Sequence, residues 1–120
     1  MDAHGDRLEA GPLNAAIANE IVKIVADFTG RGANKSRAFI HDDVVVCLLE
    51  ESMTKGEKSL LAAGRDDTVR LLRDTLQRTM EDELVATVER LTGRKVASFL
   101  SGTSTAADHA VELFVLAPPK

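Results

Sequence analysis

The stretch FTGRGANKSRAFI, Phe28–Ile40, decides the fold because it marks where a helical pattern ends and a strand pattern begins. A second stretch, LTGRKVASFL at Leu91–Leu100, repeats Thr-Gly-Arg between the same two kinds of pattern. At both places the glycine can adopt the left-handed conformation that ends a helix, and the arginine lies near the negative end of the helix dipole. The repeated motif therefore predicts two copies of one α-β-β unit.

Apolar residues spaced three or four positions apart predict the helices. The first helix is predicted to open at Gly11-Pro12, where proline suits the first turn. Thr54 and Glu57 form a capping-box pattern that begins a short helix ending near Gly64. The apolar faces predicted for the first and the long third helix are, respectively, Leu13, Ile17, Ile21, Ile24 and Phe28, and Val69, Leu72, Leu76, Met80, Leu84, Val88 and Leu91.

Four strands are predicted, at Arg37–His41, Val44–Glu50, Lys95–Ser101 and Ala110–Leu116, with a loop over 102–108. The second strand contains VVVCLL, which is apolar on both faces and is typical of a central strand or of one covered by a partner. We therefore predict an α+β fold, in which two α-β-β units form a four-stranded antiparallel sheet with helices packed on one face. The other face would be either solvated or an interface.

The chain of 120 residues is predicted to hold a single domain over 12–117, preceded by a flexible N-terminal tail at 1–11. The sequence contains no apolar run of transmembrane length and no apolar signal region, so we expect a cytoplasmic protein without direct membrane insertion. The long helix would span about 40 Å, more than the width of a small sheet. This overhang favours a homodimer.

Composition argues against several classes of function. The formal charge is −4, and the four aromatic residues are all phenylalanine, so nucleic acid is an unlikely partner. A single cysteine, Cys47, leaves no intramolecular disulfide and no cysteine-based zinc site. The motifs of serine hydrolases, dinucleotide-binding proteins and metal-binding helices are missing from the sequence. We therefore expect a protein that is not an enzyme and that needs no cofactor.

The strongest candidate for ligand binding follows the first Thr-Gly pair. Two glycines allow backbone N–H groups to converge there, and nearby cations could hold phosphate, carboxylate or bicarbonate. The alternative is a helix cap followed by solvated charges. The predicted anion-binding residues are Gly30, Arg31, Gly32, Lys35 and Arg37.

Two further groups admit both a functional and a structural interpretation. His41 with the aspartates at 42–43 could join Asp108 and His109 in a metal site if the two hairpin ends met, or the aspartates could serve their turns. Cys47 could be a nucleophile beside His41, or a small buried hydrophobic residue. We predict no metal and no catalytic residue, and leave the roles of Cys47, His41 and His109 open.

Five segments carry a resemblance to a known family: Gly30–Gly32, the hairpin from Ala38–Ile40 to Val44–Val46, Met53–Arg65 (MTKGEKSLLAAGR), Leu91–Ser101 (LTGRKVASFLS) and Val111–Leu116 (VELFVL). Through these segments most of the chain, from Ala18 to Leu116, resembles the MpsC-like family, named for a component of a Na⁺-translocating membrane-potential-generating system. Similar sequences often have proline after the GRG, where this chain has Ala33.

The resemblance implies a bacterial, non-enzymatic accessory or regulatory domain associated with ion or inorganic-carbon transport, with a membrane transporter as a possible partner. It implies no catalytic residues. An RNA-binding module that uses the Gly-rich basic loop is the alternative, because small α/β domains can clamp a nucleic-acid backbone in this way.

Overall fold

The computed structural model describes residues 2–119, and the side chains of residues 11–119. Two α-β-β units follow one another in the chain, with one additional short helix between them. The elements in chain order are α1 (Asp2–Thr29), β1 (Lys35–His41), β2 (Val44–Glu50), α2 (Lys55–Ala62), α3 (Asp66–Thr92), β3 (Val96–Ser104) and β4 (His109–Leu116).

Some boundaries differ from those predicted. Helix α1 begins at Asp2, so Pro12 lies inside the helix and not in its first turn. Strand β3 continues to Ser104 because its backbone pairs with β4 as far as His109, which shortens the predicted loop. The predicted flexible tail at 1–11 consists almost wholly of residues whose side chains are outside the described part. Its flexibility therefore stays a prediction.

The sheet has the order β1-β2-β4-β3, and every neighbouring pair is antiparallel. Helix α1 packs on β1 and β2, and α3 packs on β3 and on α1. The α+β fold with a four-stranded antiparallel sheet and helices packed on the sheet is confirmed. Among the described residues, no helix has both the length and the apolar character needed to cross a membrane.

The hydrophobic core lies between the helices and one face of the sheet. Strands β2 and β4 each alternate buried and half-buried residues, as expected for a sheet with one covered face. Burial of aliphatic side chains is the main stabilising term for such a layer. Its fully buried members include Ile17, Ile21 and Val25 of α1, Val45, Cys47 and Leu49 of β2, Leu84 and Val88 of α3, and Phe114 of β4.

The apolar face predicted for α3 is wrong at one position, Leu72. Leu72 is 40% exposed, whereas Arg73 and Gln77 are only 3% and 6% exposed. These two polar side chains face the interior, where buried polar partners from other elements lie. The second half of the stripe is confirmed, since Leu84 and Val88 are buried.

Both Thr-Gly-Arg motifs end their helices in the same way, as predicted. Gly30 and Gly93 have positive φ values of 84° and 71°. The hydroxyl groups of Thr29 and Thr92 donate to the carbonyl four residues back, at 2.8 and 2.7 Å. Each hydroxyl oxygen also accepts from the backbone N–H two residues ahead, at 3.2 Å. The repeat is thus one structural motif used twice.

The two arginines extend this equivalence. Arg31 donates from Nη2 to the carbonyl of Glu51, the residue after β2, at 2.8 Å. Arg94 donates from Nη2 to the carbonyl of Ala117, the residue after β4, at 2.7 Å. Each arginine therefore ties the end of a helix to the end of the hairpin that follows it.

Candidate functional site

The predicted anion-binding residues are engaged in different ways. The guanidinium of Arg31 is engaged by the Glu51 carbonyl and by Oδ1 of Asn34. Arg37 lies on the outer face of β1, where its Nη2 is 3.6 Å from Oε2 of Glu50. Lys35 is exposed beside Arg37, in an open depression that also contains Glu50.

The two glycines of this loop serve the backbone. Gly30 caps α1, with its N–H donating to the carbonyl of Ala26 at 2.8 Å. Gly32 packs closely on α1, since a Cβ built there would lie 2.8 Å from Cγ1 of Val22. The structural interpretation of this loop therefore accounts for both glycines and for Arg31, while anion binding stays a prediction.

These contacts determine the expected effect of mutating the loop. Arg31→Ala should lower the free energy of unfolding by about 1–2 kcal/mol, because it removes charged donors from the Glu51 carbonyl. Lys35→Ala, at an exposed side chain, should change it by less than about 0.5 kcal/mol. Urea denaturation checks both values.

Lys35→Ala is therefore the cleaner probe of an anion site, with calorimetric titration of phosphate and bicarbonate as the measurement. Saturable binding that this variant weakens would support the site. Equal heats of anion binding from wild type and Lys35→Ala, or no heat of binding from either, would contradict the anion site.

The two histidine and aspartate groups lie at opposite ends of the sheet. His41 belongs to the end where β1 turns into β2, and His109 pairs with Glu50 at the other end of β2. Seven residues of strand separate the ends by about 20 Å. Among the described side chains, no group of three or more His, Cys, Asp or Glu residues is arranged to hold a metal ion.

Asp108 instead organises the chain after β2. Its Oδ1 accepts the backbone N–H groups of Ser52 and Met53, both at 3.1 Å, and its carbonyl accepts from the N–H of Glu51. Asp108 and Glu51 both have positive φ values, of 54° and 58°. The aspartate is therefore the hydrogen-bond partner that holds this strained connection in place.

Cys47 is fully buried on the core side of β2. Burial and the nearby Glu112 carboxylate raise the pKa of its thiol to about 12. His41 is three positions beyond Ala38, the pairing partner of Cys47, so its side chain lies on the opposite face of the sheet. The cysteine thus has the surroundings of a small core residue, and a thiolate is disfavoured at neutral pH.

A cluster of buried polar side chains lies beneath α2 and the first half of α3. Glu57 and Arg73, 2% and 3% exposed, form an ion pair with Nε of Arg73 2.8 Å from Oε2 of Glu57. Glu57 also uses Oε1 to accept the N–H of Thr54, which completes the predicted capping box. Arg73 Nη2 reaches the hydroxyl of Ser52 at 3.4 Å. One carboxylate thus both begins α2 and pairs with α3.

Glu112 is the most unusual member of this cluster. It is completely buried on the core side of β4, opposite Cys47 on β2. Burial raises the pKa of its carboxyl group to about 7, although the side chain of Gln77 and the charge of Arg73 act in the other direction. Among the described atoms, neither of its oxygens receives a well-formed hydrogen bond. Glu112 can therefore change charge near neutral pH.

The burial of Arg73, Gln77 and Glu112 was not predicted from the sequence. The segment AVELFVL is apolar at both alternating sets of positions, so the pattern does not reveal that Glu112 faces the core. A weak signal exists on α3, because Val69, Arg73, Gln77 and Met80 are spaced by four, four and three residues. Those steps place two polar residues on a helical face with two buried apolar ones.

The sheet face away from the helices carries exposed and half-buried apolar side chains. Phe39 and Leu100 on this face are 51% and 57% exposed, and the apolar residues on β2 and β4 are half-buried. A solvated antiparallel sheet face usually carries polar side chains. The outer sheet face, as we call it, has the apolar members Phe39, Val44, Val46, Leu48, Leu100, Val111, Leu113 and Val115.

The strand register arranges these side chains in rows that cross the sheet from β1 to β3. The central apolar row is Phe39, Val46, Leu113 and Leu100. On one side of it lies the row Arg37, Leu48, Val111 and Gly102, and on the other the row His41, Val44, Val115 and Ser98. The last row, which is polar, is Lys35, Glu50, His109 and Ser104. The apolar area is therefore continuous across all four strands.

A family model described as "Na⁺-translocating membrane potential-generating system (MpsC)" matches residues 9–118. The chain belongs to the MpsC family. The match covers both α-β-β units and all four strands, so the outer sheet face and the buried cluster lie within the MpsC domain. A search of curated proteins and a search of solved structures each returned no match.

Proposed function

We propose that this MpsC-family chain is a non-enzymatic, cytoplasmic accessory or regulatory domain of an ion-transport system, and that it acts through protein contacts as a homodimer. The observation that carries the proposal is the continuous apolar outer sheet face, which runs from Phe39 to Leu100 across the four strands. Exposed apolar areas of this kind mark protein interfaces. The family description supplies the setting, a Na⁺-translocating membrane-potential-generating system.

The surroundings of the candidate nucleophile support a role other than catalysis. The pKa of Cys47 is raised to about 12, so little thiolate would be available at neutral pH. His41, the general base considered for it, is on the opposite face of the sheet. The RNA-binding alternative gains no support from this geometry, because Arg31 is engaged by backbone and Arg37 lies beside Glu50.

Deletion of the gene tests the role in ion transport. In cells that naturally make the protein, deletion should lower both Na⁺ extrusion and the Na⁺-dependent part of the membrane potential. The wild-type gene supplied in trans should restore both, as should Leu71→Glu, a change at a 69% exposed leucine on α3 away from the outer sheet face. Unchanged Na⁺ extrusion and potential in the deletion strain would contradict the proposed function.

A further inference from the structure

We infer that the outer sheet face is the homodimer interface, and that two copies pack sheet to sheet about a two-fold axis parallel to the strands. The inference rests on the homodimer part of the proposed function and adds the surface and its geometry. A second copy is the occupant because the face is complementary to itself in shape and charge. Each row of side chains contributes to this complementarity.

A two-fold axis parallel to the strands and between the sheets places β1 opposite β3 of the other copy, and β2 opposite β4. The central row then pairs Phe39 with Leu100 of the partner subunit, and Val46 with Leu113 of the partner subunit. Phe39 and Leu100, which are more than half exposed in one chain, would bury each other. This burial removes the most exposed apolar groups of the face from water.

The other rows match under the same operation. Arg37 faces Gly102 of the partner subunit, so the longest side chain of its row meets the residue that has none. Glu50 and His109 lie 3.7 Å apart within one chain, and Glu50 also faces His109 of the partner subunit, so acid and base alternate at the edge of the interface. Opposite charges at an interface rim favour one orientation over others.

A two-fold axis perpendicular to the strands fits less well. It would place Glu50 against Val44 of the partner subunit, and His109 against Val115 of the partner subunit. Lys35 would then meet His41 of the partner subunit, a pairing of two basic groups. Burying a charge against apolar groups is unfavourable. The strand-parallel axis is therefore the one that the side chains specify.

The area of the face suits a dimer of this kind. Four strands about 4.8 Å apart and four rows about 6.8 Å apart give a footprint on the order of 500 Å². Two such faces bury about 1,000 Å², the lower bound for a specific interface. Sheets packed face to face lie about 10 Å apart and cross at about 30°, so opposing rows stay close near the centre. The expected dimer dissociates measurably on dilution.

Light scattering of the purified chain over a range of concentrations is the first test. We expect a mass near twice 12.9 kDa, falling toward 12.9 kDa on dilution. Phe39→Glu should weaken the dimer about 100-fold, because it puts a carboxylate into each half of the interface. Leu71→Glu is the matched control, an exposed leucine on α3 that should leave dissociation unchanged. A wild-type monomer at every concentration, or a dimer weakened by Leu71→Glu and not by Phe39→Glu, would overturn the inference.

Disulfide trapping tests the axis. Phe39→Cys mixed with Leu100→Cys should give a cross-linked heterodimer under mild oxidation. Phe39→Cys alone should give little cross-linked homodimer. The two positions are three strands apart in one chain, about 14 Å, which is too far for an intramolecular disulfide. The native Cys47 is buried and does not compete. Self-cross-linking by Phe39→Cys, without the mixed product, would overturn the strand-parallel axis.

These outcomes separate the inference from the proposed function. A wild-type protein that is monomeric in light scattering, yet restores Na⁺ extrusion in the deletion strain, would remove the dimer and leave the accessory role intact. A dimer with the expected cross-links, in a protein whose deletion leaves Na⁺ extrusion unchanged, would support the dimer and contradict the accessory role in ion transport.

Discussion

Arg73→Met is expected to lower the free energy of unfolding by about 3–5 kcal/mol, because it leaves Glu57 buried without its cationic partner. Glu57 is 2% exposed, and the two side chains are 2.8 Å apart. Methionine fills much of the same space without supplying a charge. The loss of unfolding free energy therefore comes from the broken ion pair more than from a cavity. Urea denaturation followed by circular dichroism measures the change.

The double variant Glu57→Gln/Arg73→Met separates the pair from the helix cap. A glutamine at 57 keeps an oxygen for the N–H of Thr54. Because it carries no charge, it leaves no unpaired charge in the interior when Arg73 is replaced. We therefore expect the double variant to be more stable than Arg73→Met alone by about 1–3 kcal/mol. Arg70→Met, the same change at an exposed position of α3, is the control. A loss below about 1 kcal/mol for Arg73→Met, or an additive double variant, would show that the pair contributes little.

The fold was predictable because the residues that begin and end its helices and strands act locally in the sequence. Gly30 and Gly93 end helices through their own backbone conformation, and the capping box at Thr54 and Glu57 involves residues three positions apart. The strand positions follow from short apolar runs that end at turn residues. None of these features needs information from a distant part of the chain, so one sequence is enough to locate them.

The burial of Arg73 and Gln77 on α3 was not predictable in the same way. Leu72 and Leu76 continue the apolar spacing of the helix, but Leu72 is 40% exposed and Arg73 occupies the interior instead. The choice between the two faces is made by Glu57 and Glu112, which reach Arg73 and Gln77 from α2 and β4. Such long-range partners leave no periodic trace in the sequence.

The outer sheet face was anticipated in part. The apolar run VVVCLL in β2 indicated either a central strand or a strand covered on its second face by a partner. Which side chains meet there depends on strand register, and only the paired strands show that Phe39 and Leu100 end the same row.

Glu112 gives the wild-type protein an unusual dependence of stability on pH. Its pKa is about 7 in the folded chain, against an ordinary value of 4.5. The folded state therefore keeps a proton that the unfolded state has lost between those two values. The stability contributed by this group is fully present below pH 4.5 and is lost as the pH rises to about 7, a loss of about 3 kcal/mol. Burial raises the pKa of Glu112, and the side chain of Gln77 and the charge of Arg73, which face the carboxyl group, reduce the size of this effect.

Glu112→Gln should remove this dependence, because an amide of nearly the same shape carries no charge at any of these pH values. We expect the variant to be more stable than wild type by about 3 kcal/mol at pH 8, and nearly equal to it at pH 4.5. Urea denaturation at a series of pH values and one protein concentration makes the comparison, since dissociation of a dimer would otherwise contribute. Glu83→Gln, at an exposed position of α3, is the control and should change stability by less than about 0.5 kcal/mol at either pH. If Glu112→Gln and wild type kept the same difference from pH 4.5 to pH 8, the proton held by Glu112 would not be linked to folding, and the carboxylate would have to be stabilised in its charged form by Arg73.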